Sequence, residues 1–414
     1  GHGYGIRYEY GMFEQRIENG WQVEYPDRWL KHRDPWEVKR SDLAVTVRFG
    51  GTIVYDRTPD GRMHFSLQNA EEVTATPYDT PIVGYDTNTV NTLRLWEATS
   101  PNGFDLQLFN DMQYNRAVEK QNSAENISRV LYPNDSGPSG KALRLKQQYF
   151  FSSASLQDLT RAYVSRFGTD FGKFAELHVI QLNDTHPVVA IPELMRILMD
   201  EYNVGWDDAW NVVTHTFAYT NHTILAEALE KWPIEIFQGL LPRVYQIVEE
   251  INRRLLISLR EKYPNDFERH QKLSIINNGH VFMAWLAIHS CFSVNGVAEL
   301  HTELLKTREL KSWYELYPEK FNNKTNGITQ RRWLLNANPS LAEFITARIG
   351  GGWEKDLTKL KALERFSNDE ASLAELTAIK RSNKQRLAEY LKHTQNEFLD
   401  PDSIFDAQVK RLHE

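Results

Sequence analysis

The first hundred residues alternate apolar and polar side chains, the pattern typical of β-strands. The alternation over Val45–Phe49 ends at Gly50-Gly51, which predicts a hairpin at the two glycines. A second turn is predicted at Asp60-Gly61, and the segment VNTLRLWEA, residues 90–98, predicts a further strand. The opening region is therefore expected to be β-rich.

From residue 178 the apolar period lengthens to about 3.6 positions, which indicates helices. The short run HVIQLND precedes a helical pattern with Pro192 in its first turn. Strand, loop and helix in that order predict a parallel α/β unit. One later helix carries an apolar stripe that we interpret as core packing. Its members are Val244, Ile247, Val248, Ile251 and Leu255.

A domain boundary is expected near residue 325. Beyond it, Asn338 and Pro339 predict a helix start, and Gly350-Gly351 predict its end. A long polar helix is expected over 369–395, with Leu373, Leu376, Ile379, Leu387 and Leu391 on one side. Phe405, Ala407 and Val409 then alternate as in a strand. A second α/β domain is expected to begin here, and both ends of the sequence are expected to cut through a domain.

Composition narrows the class of protein. The chain is 41% hydrophobic and 25% charged with a net charge of −7, which gives no reason to expect nucleic acid as a partner. Cys291 is the one cysteine, so a disulfide framework is excluded and a reducing compartment is indicated. No segment is long and apolar enough for a bilayer, and no signal peptide is evident. A cytoplasmic protein with no membrane partner is expected.

Polar clusters follow two of the predicted apolar elements. Asp184 and His186 come just after a strand, where open α/β sheets bind ligands. The alternative is helix capping by Asp184 or Thr185. Asn221 and His222 precede a predicted helix, whose N-terminus would favour a neutral imidazole. The apolar stripe of that predicted helix is Ile224, Leu225, Ala228, Leu229 and Trp232. The alternative for His222 is a structural histidine with satisfied hydrogen bonds.

Two loops are also candidates. The segment Pro133–Gly140 is rich in Pro, Asn, Ser and Gly, so it predicts either a lid or an ordinary surface turn. Asn326-Gly327 predicts a turn beside Arg331 and Arg332, whose simpler interpretation is a solvated turn. The usual motifs of P-loop, serine-nucleophile and zinc-helix chemistry are absent from the sequence, and no metal site is expected.

The last candidate is a pair of adjacent cations, Lys410 and Arg411, after an apolar alternation. Neighbouring side chains on a strand point to opposite sides, so the two cations could hold two separate anions. Each charge-assisted hydrogen bond to a phosphate would contribute about 1.5–3 kcal/mol. The alternative is a pair of surface cations.

Several of these segments together resemble the glycogen/starch/maltodextrin phosphorylase family. The matching segments, in the family's order, are GYGIRYEYG, TPYDTPIVGYDTNTVNTLRLW, SAENISRVLYPND, LRLKQQYF, QLNDTHPVVAIPELMR, AYTNHTILAEALEKWP, NKTNGITQRRW and QVKRLHE. NDTHP with IPELMR, and YTNHT with the following EALE and WP, form a highly specific combination. The resemblance runs essentially from end to end and covers roughly half of a typical member.

The resemblance implies a GT-B fold of two Rossmann-like domains. Residues 1–325 would form most of an N-terminal glucan-binding and catalytic domain, incomplete at its start, and 326–414 would only begin the C-terminal cofactor domain. The implied activity is phosphorolysis of α-1,4-glucan ends to glucose 1-phosphate with retained configuration. Pyridoxal phosphate is the implied cofactor, its 5′-phosphate exchanging a proton with the substrate phosphate. Its Schiff-base lysine would follow residue 414, so the chain alone is expected to be inactive. A homodimer is implied for the full-length protein.

The resemblance also assigns roles to residues. Lys410 would lie near the cofactor phosphate, and Arg411 would grip inorganic phosphate. His222 would meet the glucosyl unit through its side chain and its backbone carbonyl, and Asn326 would bond the 6-hydroxyl. The implied pocket residues beside the anomeric carbon are Asp184, His186, Ala228 and Glu230, and Asp135 would belong to a gating loop.

Two positions depart from the family pattern. Ser136 stands where Asn is common, which affects the contact of the gating loop with the sugar, and Gln330 replaces a proline, which makes that turn less rigid. A second hypothesis is a non-catalytic glucan-binding protein on the same scaffold. A third, a nucleotide-sugar glucan synthase, would share the architecture but not NDTHP or YTNHT.

Overall fold

The computed structural model describes residues 1–57, 61, 63–225 and 229–407. The fold is of mixed α/β class, as predicted, with parallel and antiparallel sheets. The chain divides into two compact units, Gly1–Thr325 and Asn326–Glu414.

The strands of the first unit are distributed along its whole length. They are β1 (His2–Ile6), β2 (Met12–Glu18), β3 (Trp21–Asp27), β4 (Val38–Lys39), β5 (Val45–Phe49), β6 (Thr52–Arg57), β7 (Met63–Gln68), β8 (Glu71–Val83), β9 (Val90–Thr99), β10 (Ile180–Asn183), β11 (Phe217–Thr220), β12 (Lys231–Pro233), β13 (Ile276–Asn277), β14 (His280–Phe282), β15 (Ser293–Gly296) and β16 (Phe321–Asn323).

The α-helices occupy mainly the region after residue 105. They are α1 (Leu106–Asn110), α2 (Tyr114–Ala117), α3 (Glu119–Glu125), α4 (Pro138–Phe167), α5 (Phe174–Leu177), α6 (Ala190–Arg196), α7 (Trp206–Thr216), α8 (Ile234–Leu240), α9 (Pro242–Lys262), α10 (Phe267–Lys272), α11 (Met283–Ser290), α12 (Glu299–Leu304), α13 (Lys311–Leu316), α14 (Pro339–Ile349) and α15 (Glu370–Gln395). π-helical turns extend α6 and α12.

Two sheets organise the first unit. In the mixed sheet, β8 and β9 form a long antiparallel pair, β1 adds in parallel to β9, and β4 and β5 pair with β8. In the second sheet, β10, β11, β15 and β16 follow one another in that order and are all parallel. The strand predicted at 90–98 and the parallel α/β unit predicted after residue 178 are both confirmed.

A buried carboxylate on α6 joins this helix to α4. The side chain of Glu193 on α6 is fully buried and forms a salt bridge with Arg196, 2.8 Å away. It also accepts hydrogen bonds from Tyr149 and Ser153 of α4, at 2.8 and 2.7 Å. Because these partners satisfy both oxygens of Glu193, they fix α6, and with it the loop 184–189, against α4.

The predicted stripe on α9 is confirmed, since each of its five members is at most 2% exposed. The hairpin predicted at Gly50-Gly51 is wrong. Both glycines have positive φ, 65° and 83°, and the chain does turn there. However, β5 pairs with β8, whereas β6 pairs with β7. A Cβ on Gly51 would lie 2.6 Å from the carbonyl oxygen of Gln68, so Gly51 permits a close backbone approach to the end of β7. Asp60 lies outside the described residues.

The helix predicted after His222, with an apolar stripe from Ile224 to Trp232, is wrong as far as the described residues extend. Residues 221–225 are irregular, and Trp232 belongs to β12, opposite Val281 of β14. Asn221 Oδ1 accepts from the Thr223 N–H at 3.1 Å, and Thr223 Oγ1 accepts from the Leu225 N–H at 3.3 Å. These local bonds compete with helical ones.

The loop predicted at Pro133–Gly140 is shorter than expected. Helix α4 begins at Pro138, whose fixed φ and missing N–H suit the first helical position. A Cβ on Gly140 would lie well inside contact distance of the Asn134 carbonyl oxygen, so the loop folds back onto the first turn of α4.

The second unit has its own small core, built from Ala342, Phe344, Ile345 and Trp353. Its predicted helix start is confirmed, because Asn338 Oδ1 accepts from the Leu341 N–H and Pro339 begins α14. The long helix predicted over 369–395 is α15. Its apolar stripe is only partly covered: Leu376 and Ile379 pack on the small core, whereas Leu373 and Leu387 are 46% and 45% exposed.

The strand predicted at Phe405, Ala407 and Val409 is not formed where the structure describes it. Residues 404–407 are irregular, and Ile404 is 95% exposed. Val409 lies outside the described residues. Among the described helices, none combines the length and apolarity needed to cross a bilayer.

We predict that Glu193→Gln destabilises the chain by about 3–5 kcal/mol, because it leaves the Arg196 guanidinium short of a buried partner. Urea denaturation followed by circular dichroism measures this change. The matched control is Asp207→Asn, which removes an ion pair to Arg254 from a side chain that is 87% exposed. The control substitution should lower the free energy of unfolding by less than about 1 kcal/mol. Equal losses in the two variants would contradict the anchoring role of Glu193.

Candidate functional site

The candidate site lies where the parallel strands of the first unit end. Asn183 of β10 stands opposite Thr220 of β11, which stands opposite Asn295 of β15. Since these strands are parallel, their carboxyl ends meet at one edge of the sheet. The predicted site residue Asp184 directly follows β10, and His222 is two residues after the end of β11, in the position where open α/β sheets bind ligands.

A direct hydrogen bond joins the ends of β10 and β11. His222 Nε2 lies 2.6 Å from Asn183 Oδ1. An amide oxygen only accepts, so Nε2 carries the hydrogen and donates it. In the neutral imidazole, Nδ1 is then left as an acceptor. The imidazole is therefore held by the neighbouring strand, and no helix N-terminus is present at His222 among the described residues.

Below His222, a chain of side-chain hydrogen bonds ties three strands together. Gln181 Nε2 donates to Thr220 Oγ1 at 2.7 Å, and Thr220 Oγ1 donates to Asn295 Oδ1 at 2.8 Å. The Asn221 N–H donates to the Asn295 carbonyl oxygen at 2.9 Å. Asn221 is fully buried and donates from Nδ2 to the Tyr219 hydroxyl at 3.1 Å. This network fixes the backbone immediately before His222.

Asp184 and His186 lie on the turn after β10. Asp184 has a positive φ of 65°, donates its N–H to the Thr220 carbonyl, and accepts at Oδ1 from the Thr185 N–H at 2.6 Å. Because α6 begins only at Ala190, the alternative that Asp184 or Thr185 caps this helix is wrong. The strained turn instead positions His186, whose ring meets Tyr132 edge-on, with ring centres 6.1 Å apart.

Glu230 is a buried carboxylate at the same place. Its side chain is 13% exposed. Oε2 accepts from Gln148 Nε2 at 2.8 Å and lies 3.9 Å from Arg144 Nε. Oε1 has no hydrogen-bond partner among the described residues. Burial raises the pKa of Glu230, and the hydrogen bond from Gln148 and the charges of His186 and Arg144 oppose this only in part.

Arg144 connects the predicted loop to the pocket. Its guanidinium donates to Asp135 Oδ2 at 3.1 Å and lies 3.4 Å from His186 Nε2. Lys141 Nζ also donates to the Asp135 carbonyl oxygen at 3.0 Å. Asp135 is thus held against α4, whereas Ser136 is exposed and donates its N–H to Asn134 Oδ1 at 3.0 Å.

The structure thus brings together Asp135, Asp184, His186, His222 and Glu230 in the first unit. Asn326 is exposed and is the first residue of the second unit. Ala228, Lys410 and Arg411 lie outside the described residues. The roles that the resemblance implies for all of these residues stay predictions.

Sequence reasoning missed Asn183, Arg144 and Gln148. Asn183 had a usable signal, because it is a polar residue at the last position of β10. Arg144 and Gln148 are four positions apart on α4, so they lie on one helix face and point the same way. Two long polar side chains at that spacing, just after the Pro-, Asn-, Ser- and Gly-rich loop, form a pattern from which a polar helix face next to the loop could be predicted.

The chemistry of this arrangement suits a neutral polyhydroxylated ligand. The exposed groups include the Asn183 amide and the His222 imidazole, which offer hydrogen-bond donors and acceptors. Glu230 and Asp184 can accept from hydroxyls, and Arg144 is already engaged by Asp135. Sugars match such a mixed set of hydrogen-bonding groups.

Comparison with known proteins places the chain in a family. A family model described as carbohydrate phosphorylase matches residues 1–414. The chain is 49% identical to the brain form of glycogen phosphorylase from Mus musculus, over 100% of this chain and 50% of the relative. It is 48% identical to the muscle form from Homo sapiens, over 100% and 50%, and 48% identical to glycogen phosphorylase from Synechocystis, over 100% and 49%. The chain spans about half the length of these relatives, and it belongs to the carbohydrate phosphorylase family.

Proposed function

We propose that the full-length protein is an α-1,4-glucan phosphorylase. It would release glucose 1-phosphate, with retained configuration, from the non-reducing ends of glycogen, starch or maltodextrin. The membership of the family and the names of the relatives support this activity. The observation that carries the proposal is the convergence of Asn183, His222, His186 and Glu230 at one sheet edge.

His222 would orient the terminal glucosyl unit. Because Asn183 fixes the imidazole through Nε2, Nδ1 and the backbone carbonyl are the groups left to meet the sugar. A carbonyl dipole directed at the anomeric carbon would stabilise positive charge as the glycosidic bond breaks. The dipole is preorganised, since the hydrogen bonds of Asn221 hold the preceding backbone.

Glu230 and its neighbours would shape the floor beside the anomeric carbon. A buried carboxyl with an unpartnered oxygen can accept a hydrogen bond from a sugar hydroxyl. Asp135, held by Arg144 over the pocket, would exclude water while the loop stays in this position. Displacement of Asp135 would then open the pocket to phosphate, in line with the gating role that the resemblance implies.

The residues of this site fit a sugar and not the phosphate of a cofactor. The cation that contacts Glu230 and His186, Arg144, is also paired with Asp135. Lys410 and Arg411 would have to provide the cationic groups, with other residues beyond the 414. We infer that pyridoxal phosphate serves the full-length protein and, when bound, supplies acid–base chemistry at the substrate phosphate.

The proposal extends to architecture. Unit Gly1–Thr325 would be most of the glucan-binding domain of a GT-B fold, and the unit from Asn326 would begin the cofactor domain. A homodimer is proposed for the full-length protein on the family resemblance alone.

The isolated 414-residue chain is predicted to make no glucose 1-phosphate, because the family resemblance implies that the cofactor-bearing lysine would follow residue 414. A purified sample with added pyridoxal phosphate, maltoheptaose and inorganic phosphate is assayed by phosphoglucomutase coupling. Turnover by the isolated chain would contradict the assignment of the missing groups.

A chimera tests the activity itself. The 414 residues replace the matching span of the Synechocystis glycogen phosphorylase, whose remaining half supplies the rest. We expect this chimera to release glucose 1-phosphate from glycogen. A chimera that folds, holds the cofactor and binds glycogen without turnover would instead favour the non-catalytic glucan-binding protein.

In the active chimera, His222→Ala is predicted to lower kcat on the order of 10²-fold, since it removes a preorganised group at the reacting carbon. The matched control is His215→Ala, which removes an exposed histidine of α7. The control should keep the parent rate. A similar loss in both variants would remove His222 from the site.

Glu230→Gln is predicted to change how stability depends on pH. A carboxyl whose pKa is raised by folding stabilises the chain most below its unfolded pKa, near 4.5, and this contribution is lost as pH rises through the folded pKa. The variant lacks this loss, so its unfolding free energy should rise relative to the parent across that interval. Urea titrations from acid to neutral pH measure the difference, with the exposed Glu235→Gln as a charge-matched control. A difference that does not change with pH would contradict a raised pKa of the buried Glu230 carboxyl.

A further inference from the structure

One large cleft of the first unit lies between two strands of different sheets. It has a volume of about 850 Å³ and is lined by every residue of β1 and of β10. Helix α4 forms its floor, through Gln148, Ser152 and Leu159 among others. Leu177 and Val179, which are 52% and 67% exposed, also line it. The cleft therefore has strand edges for walls and exposed apolar side chains around it.

Strand β1 turns an open edge to this cleft. On its other side, the Gly1 carbonyl accepts from Thr92 and the Arg7 N–H donates to Trp96, both in the direction of β9. Peptide groups alternate in direction along a strand, so those of His2, Tyr4 and Ile6 point away from β9. Among the described residues, no strand pairs with that edge.

Strand β10, in the opposite wall of the cleft, also turns an unpaired edge towards it. The Asp184 N–H donates to the Thr220 carbonyl of β11. By the same alternation, the peptide groups of Gln181 and Asn183 point away from β11. Within the described part of the chain, β10 also pairs on one side only.

The two open edges run in the same direction. After β1 the chain continues beside Val130, to which Tyr10 forms a parallel bridge, and so approaches Tyr132. After β10 it reaches His186, whose ring contacts that of Tyr132. The carboxyl ends of both strands thus lie at the same end of the cleft, next to the candidate site.

Two buried polar atoms on the floor also need a partner. Gln148 and Ser152 are 4% and 3% exposed, and both line the cleft. Gln148 Oε1 and Ser152 Oγ have no hydrogen-bond partner among the described residues. Orphaned buried atoms of this kind are costly, so a ligand that supplies donors to them would be favoured.

We propose that this cleft is the seat of an additional β-strand, which pairs with β1 and β10 and runs parallel to both. The inserted strand would join the two sheets into one, in the order β8, β9, β1, inserted strand, β10, β11, β15 and β16. A strand is the one ligand whose two edges satisfy peptide groups on both walls. Glucan chains lack the repeating N–H and C=O groups that these edges require.

The chemistry of the cleft specifies the inserted segment. Central parallel strands are buried on both faces, so it should be a short apolar run rich in β-branched residues. Its half nearer the candidate site should carry a hydrogen-bond donor for Gln148. The relatives are about twice as long as the span that they share with this chain, so a full-length protein has material for this strand outside the 414 residues. The carboxyl end of the strand would arrive beside His186 and complete that wall of the site.

A fusion library tests the insertion independently of the proposed activity. Overlapping strand-length segments from the unmatched half of the Synechocystis relative are each joined to Gly1 through a flexible Gly-Ser linker, which raises the effective concentration to the millimolar range. We expect one contiguous set of segments to raise the melting temperature by several degrees. In these fusions, hydrogen exchange at the amides of Tyr4 and Gln181 should slow by about tenfold or more. The amides of Arg7 and Asp184, which are already bonded, serve as internal references.

Two matched serine variants distinguish strand insertion into the cleft from a general stabilisation of the chain by the fused segment. Ser152→Ala removes an unpartnered hydroxyl, so it should be neutral or stabilising in the unfused chain and destabilising in the responding fusion. Ser155 already donates to Phe151 and accepts from Trp96, so Ser155→Ala should cost the same in both.

Three outcomes would overturn the proposal. The first is a library in which no segment slows exchange at Tyr4 and Gln181. The second is an unfused chain that is dimeric with both amides already protected, which would assign the edges to a second copy. The third is protection of these amides by maltoheptaose alone, which would assign the cleft to a glucan.

Discussion

The hydrogen bond between Asn183 Oδ1 and His222 Nε2, 2.6 Å long, is the interaction on which the site depends. It exists because β10 and β11 are parallel and in register, so their last residues lie side by side at one edge of the sheet. The bond selects one tautomer of His222 and fixes the direction in which the imidazole and its backbone carbonyl face. The irregular segment after β11 could not do this alone, since it has no helical hydrogen bonds among the described residues to hold it.

Helix α4 connects the remaining features to that edge. The first turn of α4 holds the loop that contains Asp135, and the second turn carries Arg144, which pairs with Asp135. The third turn carries Gln148, which donates a hydrogen bond to Glu230. Further along, Tyr149 and Ser153 bind Glu193 and so anchor α6, which follows the His186 turn. The same helix floors the cleft between β1 and β10. A shift of the part of α4 between Lys141 and Leu159 is therefore expected to affect both the pocket and the proposed strand.

Much of this could be predicted from sequence, and the failures have physical causes. The parallel unit after residue 178, the α9 stripe and the helix start at Asn338 follow from period and capping chemistry. The helix expected after His222 failed because Asn221 and Thr223 bond their own backbone, and apolar spacing alone does not reveal that competition. Asn183 and Arg144 carried local signals in the sequence, but their partners His222 and Glu230 are distant in sequence, and local patterns do not identify such partners. The Gly50-Gly51 turn was recognised, but its strands pair elsewhere, which local patterns do not encode.

A double-mutant cycle on the active chimera tests the central interaction most directly. Rates of glucose 1-phosphate release are measured for Asn183→Ala, for His222→Ala and for both changes together. If Asn183 acts by positioning His222, the single Asn183 variant loses rate, and the double variant is no slower than His222→Ala alone. If the two losses multiply instead, the two side chains act independently, and the hydrogen bond across the sheet edge is not what organises the site.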